Sequence, residues 1–239
     1  GYRAGQDEEG SNRLYIDNSG SDSTGALIYG EFDNRKLIFN GDVRVNGIIN
    51  ISGNDRNNLF FGDSAGYFNS SGWGNAFFGT RAGNNNSEGS GNTLMGAWAG
   101  QRIENGFSNT MLGMGAGAYN IDGNDNVFLG YKAGNDNTDG SGNVFLGKDA
   151  GYYETGSNKL FISNSADTDE DTDRNSALVY GEFDTGQIKL NAKVTIRDLL
   201  NLTPGSAPAS GTEVEGDVYY DAGSHKLMVY DGTAWQACW

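Results

Sequence analysis

His225, Cys238 and the carboxylates are the residues of this chain whose chemistry has to be weighed first. His225 is its single histidine and Cys238 its single cysteine. One imidazole cannot build a multi-histidine metal site, and without a paired nucleophile it cannot build a catalytic triad. It also falls in Ala222-Gly223-Ser224-His225, a turn by composition. Cys238 stands beside the C-terminal residue with no histidine near it in sequence, and a lone cysteine excludes an intrachain disulfide. The carboxylates are more numerous. Asp167, Asp169, Asp171 and Asp173 alternate through one segment and could offer oxygen ligands to Ca²⁺. Asn135-x-Asn137-x-Asp139-Gly140 has the opening of an EF-hand loop, but Leu146 stands where the loop needs a bidentate Glu. The plainer reading of both segments is a solvated acidic loop, with no cofactor. No spacing singles out a carboxylate pair for glycoside cleavage, so no enzymatic activity is expected.

Recognition by aromatic side chains is better supported. Tyr67, Phe68, Trp73, Trp98, Phe107 and Tyr119 lie in stretches rich in Gly, Asn and Ser, where solvent exposure is expected. Such rings could stack on the sugar rings of a cell-surface glycan, or they could pack between neighbouring units or subunits. The net charge of −15 disfavours nucleic acid and anionic membrane surfaces as partners. No apolar run has the roughly 20 residues of a membrane-spanning helix.

The elements that must position these rings follow from a repeat. Asn58, Asn75, Asn92, Asn109, Asn126 and Asn143 are each 17 residues apart. Each is followed by three mostly apolar residues, a Gly, two variable residues and Ala-Gly. A short fixed period points to a stacked structure in which each unit contacts its neighbours. The three apolar residues read as a short strand whose neighbouring side chains point to opposite faces. Residue two of each strand is always Phe, Leu or Met, and residues one and three are mostly apolar as well. Both faces therefore need burial, and one narrow coil has only one inside. A further copy of the chain is the simplest cover for the second face. The recurrent Gly suits a corner with positive φ or a close backbone approach, and the recurrent Ala a tight internal site. The Asn is read either as a rung-to-rung ladder or as a turn residue.

The flanks duplicate one another. Ser11-Asn12-Arg13-Leu14-Tyr15-Ile16 matches Ser157-Asn158-Lys159-Leu160-Phe161-Ile162, and Ala26–Asp33 matches Ala177–Asp184. Each cassette reads as three or four short strands. Gly1-Tyr2-Arg3-Ala4-Gly5 matches Gly130-Tyr131-Lys132-Ala133-Gly134, so the repeat array is expected to extend further on the N-terminal side. Both prolines, Pro204 and Pro208, mark a linker, and the tail reads as a β-hairpin. The division is residues 1–52, a partial repeat and first cassette; 53–151, six repeats; 152–202, a second cassette; 203–215, a linker; and 216–239, a hairpin module.

Asn143-Val144-Phe145-Leu146-Gly147-Lys148-Asp149-Ala150-Gly151 and Gly216-Asp217-Val218-Tyr219-Tyr220-Asp221 resemble phrases of phage tail-fibre proteins and related bacterial surface proteins. The repeat is also similar to the head repeats of trimeric autotransporter adhesins, although its period is longer than theirs. The resemblance implies an all-β homotrimeric fibre of stacked short strands, of β-roll or β-helix type, whose partners are two further copies and a cell-surface glycan or protein receptor. It also implies a place on a virion tail fibre or at a cell surface, and attachment to a host as the function. A bacterial surface adhesin is the alternative, and a fibre-borne glycan-degrading enzyme a second one.

Overall fold

The structure is a computed structural model that describes residues 4–5, 9–16, 26–33, 36–41, 43, 57–165, 169–198, 200–202 and 215–238. The chain separates into two compact units, residues 1–59 and 60–239. The regular elements among the described residues are β-strands apart from one short helix. In the first unit β1 (Arg13–Ile16), β2 (Ile28–Glu31) and β3 (Lys36–Phe39) make an antiparallel sheet in that order.

A β-solenoid of about six turns follows. Its strands are β4 (Leu59–Phe61), β5 (Ala76–Phe78), β6 (Thr93–Met95), β7 (Thr110–Leu112), β8 (Val127–Leu129) and β9 (Val144–Leu146). From β5 to β9 consecutive strands pair in parallel, with residue two opposite residue two: Phe77 with Leu94, Leu94 with Met111, Met111 with Phe128, Phe128 with Phe145. The sheet runs on through β10 (Lys159–Ile162), parallel to β9, and then through antiparallel β11 (Val179–Glu182) and β12 (Gln187–Leu190). Each cassette thus has three described strands.

Residue two of the strands β5 to β9 is fully buried, as are Ala82, Ala99, Ala116, Ala133 and Ala150. Phe60 stacks on Phe77, and Phe128 on Phe145, with ring centroids 4.8 Å apart, the separation of adjacent strands. The corner glycines explain why the rungs stack so closely. Gly96 has φ +135°, and a Cβ there would lie 2.5 Å from the carbonyl oxygen of Gly113 in the next rung.

Of the two readings of the Asn, the ladder is the one observed. Asn92, Asn109, Asn126 and Asn143 are buried, and the backbone N–H of each donates to the Oδ1 of the Asn one rung earlier at 2.9–3.0 Å. Each Nδ2 donates to a glycine carbonyl in the corner leading into the next rung, as Asn109 does to Gly123 at 2.8 Å. A second column lies at 69, 86, 120 and 137, where Asn86 Nδ2 donates to Asn69 Oδ1 and Asn120 Nδ2 to the Asn137 carbonyl. Ile103 occupies the position between. The two Asn oxygens on either side of it, Asn86 Oδ1 and Asn120 Oδ1, have no hydrogen-bond partner among the described residues.

Glu154 ends this second column. Its carboxylate is fully buried and accepts from Gly156 N–H and from the Arg174 guanidinium at 2.7 and 2.8 Å. Arg174 belongs to α1 (Glu170–Ser176), which also pairs it with Glu170. Burial opposes ionisation of Glu154, but Arg174, Glu170 and the Gly156 N–H outweigh it and hold the carboxyl below the ordinary carboxylate range. The acidic segment expected as a loop is therefore partly helical. Asp169 caps α1 by accepting from Thr172 N–H at 2.9 Å, and first-turn acids suit the positive end of a helix.

The tail has one strand more than the hairpin expected from sequence. β13 (Val218–Asp221), β14 (Lys226–Tyr230) and β15 (Trp235–Ala237) form an antiparallel sheet, with Trp235 edge-on to Tyr219 at 4.7 Å.

Three substitutions probe these contacts. Gly96→Ala should cost on the order of 3 kcal/mol in thermal or denaturant unfolding, because φ and the neighbouring carbonyl both oppose it. Gly186→Ala, also at positive φ but with nothing nearby, should cost about 1 kcal/mol. Arg174→Met should cost on the order of 3 kcal/mol at neutral pH by leaving Glu154 buried and unpaired. A carboxyl with a depressed folded-state pKa contributes stability above its unfolded pKa and loses that contribution as pH falls through its folded pKa. The deficit of the Arg174→Met variant should therefore shrink on acidification. A deficit that stays constant down to the acid range would refute the assignment.

Candidate functional site

Two surfaces of the solenoid stand out, and the first arises from the alternation of strand side chains. With residue two pointing into the coil, residues one and three point outward. Residue three is Phe61, Phe78, Met95, Leu112, Leu129 and Leu146 in successive strands, and residue one is Leu, Ala, Thr, Thr, Val and Val. No charged residue occurs at these positions in a chain with 31 acidic and 16 basic residues. Phe61 and Phe78 stack on one another at 5.4 Å, and Phe61 is 47% exposed. Parallel pairing in constant register places each such residue directly over its counterpart, so the outward apolar residues form straight columns.

The second surface carries the aromatic residues. All six candidates, Tyr67, Phe68, Trp73, Trp98, Phe107 and Tyr119, are exposed, Trp73 at 63%. They form separate groups. Trp73 and Phe107 stand two rungs apart in one column with Ser90 between them. The Trp73 N–H donates to Ser90 Oγ at 3.1 Å, and the Phe107 N–H to Asn124 Oδ1 at 2.9 Å. The backbone beneath each ring is thus fixed from the next rung. Tyr67 and Phe68 pack edge-on at 4.8 Å. Tyr119 lies under the Arg102 guanidinium at 5.3 Å.

Trp98 has a property that sequence reasoning missed. Its φ is +59°, and it shares a column with Ser64, Arg81, Lys132 and Asp149, all in the same left-handed conformation. That conformation is unfavourable for a bulky side chain and is ordinarily met by Gly or Asn. The missed signal is Gly115, the glycine of this column, at φ +70°.

Sequence reasoning also missed a group around Lys132. Its amine lies 5.5 Å from the Tyr131 ring centre and 5.7 Å from that of Tyr152, within cation–π range. Burial pushes the Asp136 carboxyl up against the pull of Lys132. Burial likewise raises the Tyr152 phenol, with Asp136 acting in the same direction.

The acidic candidates do not converge. Asp169 caps a helix, and Asp171 is exposed at 3.9 Å from Arg174. Asp173 is buried and accepts from the Tyr153 N–H at 3.2 Å. Asp167 lies outside the described residues. Among the described residues no group of three or more His, Cys, Asp or Glu is arranged to hold a metal ion. Nor do the EF-hand-like residues face a common centre. Asn135 Nδ2 donates to the Gly115 carbonyl at 3.1 Å and Asn137 Nδ2 to the Glu154 carbonyl at 2.7 Å, so both serve rung-to-rung bonding. His225 sits in the turn between β13 and β14, and Cys238 is exposed. No helix among the described residues is long and apolar enough to cross a membrane.

No protein-family model matches the chain, and comparisons with characterised proteins and with solved structures find no match.

Side chains that are exposed and free of core contacts contribute little to stability. Trp73→Ser and Phe107→Ser should leave unfolding within about 0.5 kcal/mol of the unmodified chain. Trp98→Gly should leave it unchanged or raise it by up to about 1 kcal/mol, by relieving the left-handed conformation. A loss above about 2 kcal/mol in any of the three would assign that ring to the core instead.

Proposed function

We propose that this chain is a structural and adhesive segment of a homotrimeric fibre that contacts a cell surface, of the kind found in phage tail fibres. The observation that carries the proposal is the uncharged, apolar outer face of the strands, repeated through six successive strands of an otherwise acidic chain. Each coil satisfies its own backbone hydrogen bonds and buries residue two, yet it leaves residues one and three half-buried or exposed. Copies of the same chain offer the same apolar spacing from rung to rung, so columns of one coil meet columns of the next without loss of register. Three copies is the number that the resemblance to tail fibres and trimeric adhesins implies, and the 17-residue repeat is the unit of the assembly.

In this reading the exposed aromatic residues are the recognition surface. Trp98 supports it, because a Trp placed where Gly is the unstrained choice is more readily explained by what the ring contacts than by the fold. Trp73 and Phe107, two rungs apart, are spaced roughly 10 Å along the stack, on the scale of alternate rings of an extended oligosaccharide.

One preparation tests both halves. Light scattering should give three times the 25.5 kDa of one chain, and Leu129→Lys should reduce it to one chain while leaving the far-ultraviolet β-signal intact. Glycan binding should fall at least about tenfold in a Trp73→Ser, Trp98→Gly double variant, a loss of about 1.4 kcal/mol. A mass near that of one chain for the unmodified protein would overturn the trimer. Glycan binding equal in the double variant and the unmodified protein would overturn the recognition surface.

A further inference from the structure

One patch of the solenoid gathers cations and phenol rings that the coil itself does not need. Arg102, Tyr119 and Asp136 occupy one column in successive rungs. Tyr131 and Lys132 follow the corner glycine of the rung that carries Asp136, and Tyr152 belongs to the rung after it. The Arg102 guanidinium lies 5.3 Å from the centre of the Tyr119 ring, and the Lys132 amine 5.5 and 5.7 Å from those of Tyr131 and Tyr152. Burial raises the Tyr152 phenol first, and Asp136 and, more weakly, Tyr119 act in the same direction. The two cation–ring groups are therefore one neighbourhood.

The fold explains how these side chains are held, not why they are present. Rung-to-rung bonds fix the backbone beneath them. The N–H groups of Arg102, Tyr119, Lys132 and Asp136 donate to the carbonyls of Ala118, Asn135, Met114 and Tyr152, each at 3.0 Å. The same columns carry other residue types in other rungs. Counterparts of Tyr131 are Thr80, Ala97 and Met114, and those of Tyr152 include Asn84, Gln101 and Ala118. Small or polar residues thus serve the coil equally well at these places. Lys132 is moreover at φ +52°, a left-handed conformation that a long side chain seldom adopts. Its stem lies toward a glycine one rung earlier: a Cβ on Gly115 would be 3.2 Å from Lys132 Cγ.

The patch is also cationic within an acidic chain. Lys148 pairs with Asp149 at 2.7 Å, which occupies the nearest carboxylate of the following rung. Neither Lys132 nor Arg102 has an ion-pair partner among the described residues. Half-buried Asp136 feels Lys132 but forms no ion pair with it. Two unpaired cations beside phenol rings, with a carboxyl acceptor close by, suit a ligand that has a ring face, hydroxyls and a carboxylate. Acidic sugars have all three, whereas an inorganic anion would leave the rings idle. The net charge of −15 does not forbid such a ligand, because exposed charges beyond about 8 Å are largely screened at physiological ionic strength.

We infer that this patch is a subsite for an acidic glycan, with sugar rings against the tyrosines, carboxylates paired with Lys132 and Arg102, and a hydroxyl donating to Asp136. Arg102 and Lys132 stand two rungs apart, roughly 10 Å, so carboxylates on alternate sugars of an extended chain reach both. The inference rests on the glycan reading of the exposed aromatic residues and narrows it to a ligand class that Trp73 and Trp98 do not specify.

The test is an array of uronic-acid and sialic-acid oligosaccharides, each printed beside the same oligosaccharide with its carboxyls reduced to alcohols. The unmodified chain should bind at least one acidic member about tenfold or more tightly than its reduced counterpart. Lys132→Gln should abolish that preference and leave binding of the reduced counterpart unchanged, and Arg102→Gln should lower the preference at least about threefold. Arg81→Gln removes a cation of the Lys132 column three rungs away and should leave the preference intact. Equal melting temperatures of the variants and the unmodified chain confirm that all are folded. No preference for any acidic member, a preference unchanged by Lys132→Gln, or one lost equally in Arg81→Gln overturns the inference. Binding without acidic preference that is lost in the Trp73→Ser, Trp98→Gly variant overturns this subsite and leaves the glycan reading standing. An acidic preference that persists in that double variant at unchanged affinity supports the subsite and overturns the role of the two tryptophans. No binding to any member overturns both.

Discussion

The buried carboxamide of one asparagine per rung is the interaction on which the rest of the solenoid depends. A coil only one strand wide must turn corners, and every corner places backbone N–H and carbonyl groups inside, where leaving them unmade is costly. Asn109 answers both needs: its Oδ1 accepts from the Asn126 N–H and its Nδ2 donates to the Gly123 carbonyl. A hydrocarbon side chain could do neither, and an aspartate would add a buried charge to every rung. The amide thereby fixes the spacing at which the corner glycines must meet. That spacing is tight enough to exclude a Cβ at Gly96 and lets Phe rings stack at 4.8 Å.

Once the inner face is satisfied in this way, the outer positions are released from the work of folding. Leu112 and Leu129 point away from the core that Met111 and Phe128 fill. They are half-buried there, outside the fully buried core. Trp98 also lies outside that core, held in a backbone conformation that the coil would fill more easily with glycine. The ladder also tolerates an interruption. Ile103 breaks the second Asn column and orphans two amide oxygens, yet it joins the apolar core between Leu94 and Met111.

Most of the solenoid was legible in the sequence because its constraints recur. The Asn, Gly and Ala of each unit need particular chemistry at particular places, and the alternation about residue two follows from strand geometry. The second column at Asn69, Asn86, Asn120 and Asn137 carries the same spacing, but these residues sit among many other Asn and Ser residues, and Ile103 hides the series. The helix in the acidic stretch is not legible because it is only 7 residues long and is held by tertiary contacts of Arg174 and Asp173 rather than by propensity. Residues 235–237 lack the alternation of a strand and became one by pairing with β14. Of the candidate site, exposure of the six aromatic residues followed from their place in the variable stretches. The contacts of the rings did not, since the edge-on packing of Tyr67 on Phe68 and the place of Arg102 over Tyr119 depend on side-chain geometry.

Electron cryomicroscopy of the intact assembly tests the central claim most directly. The account predicts three coils around one axis, with Phe78, Met95, Leu112, Leu129 and Leu146 facing the axis and Trp73, Trp98 and Phe107 at the periphery. A map showing a single coil with its outer strand face in solvent, or coils meeting through the exposed aromatic residues, would contradict it.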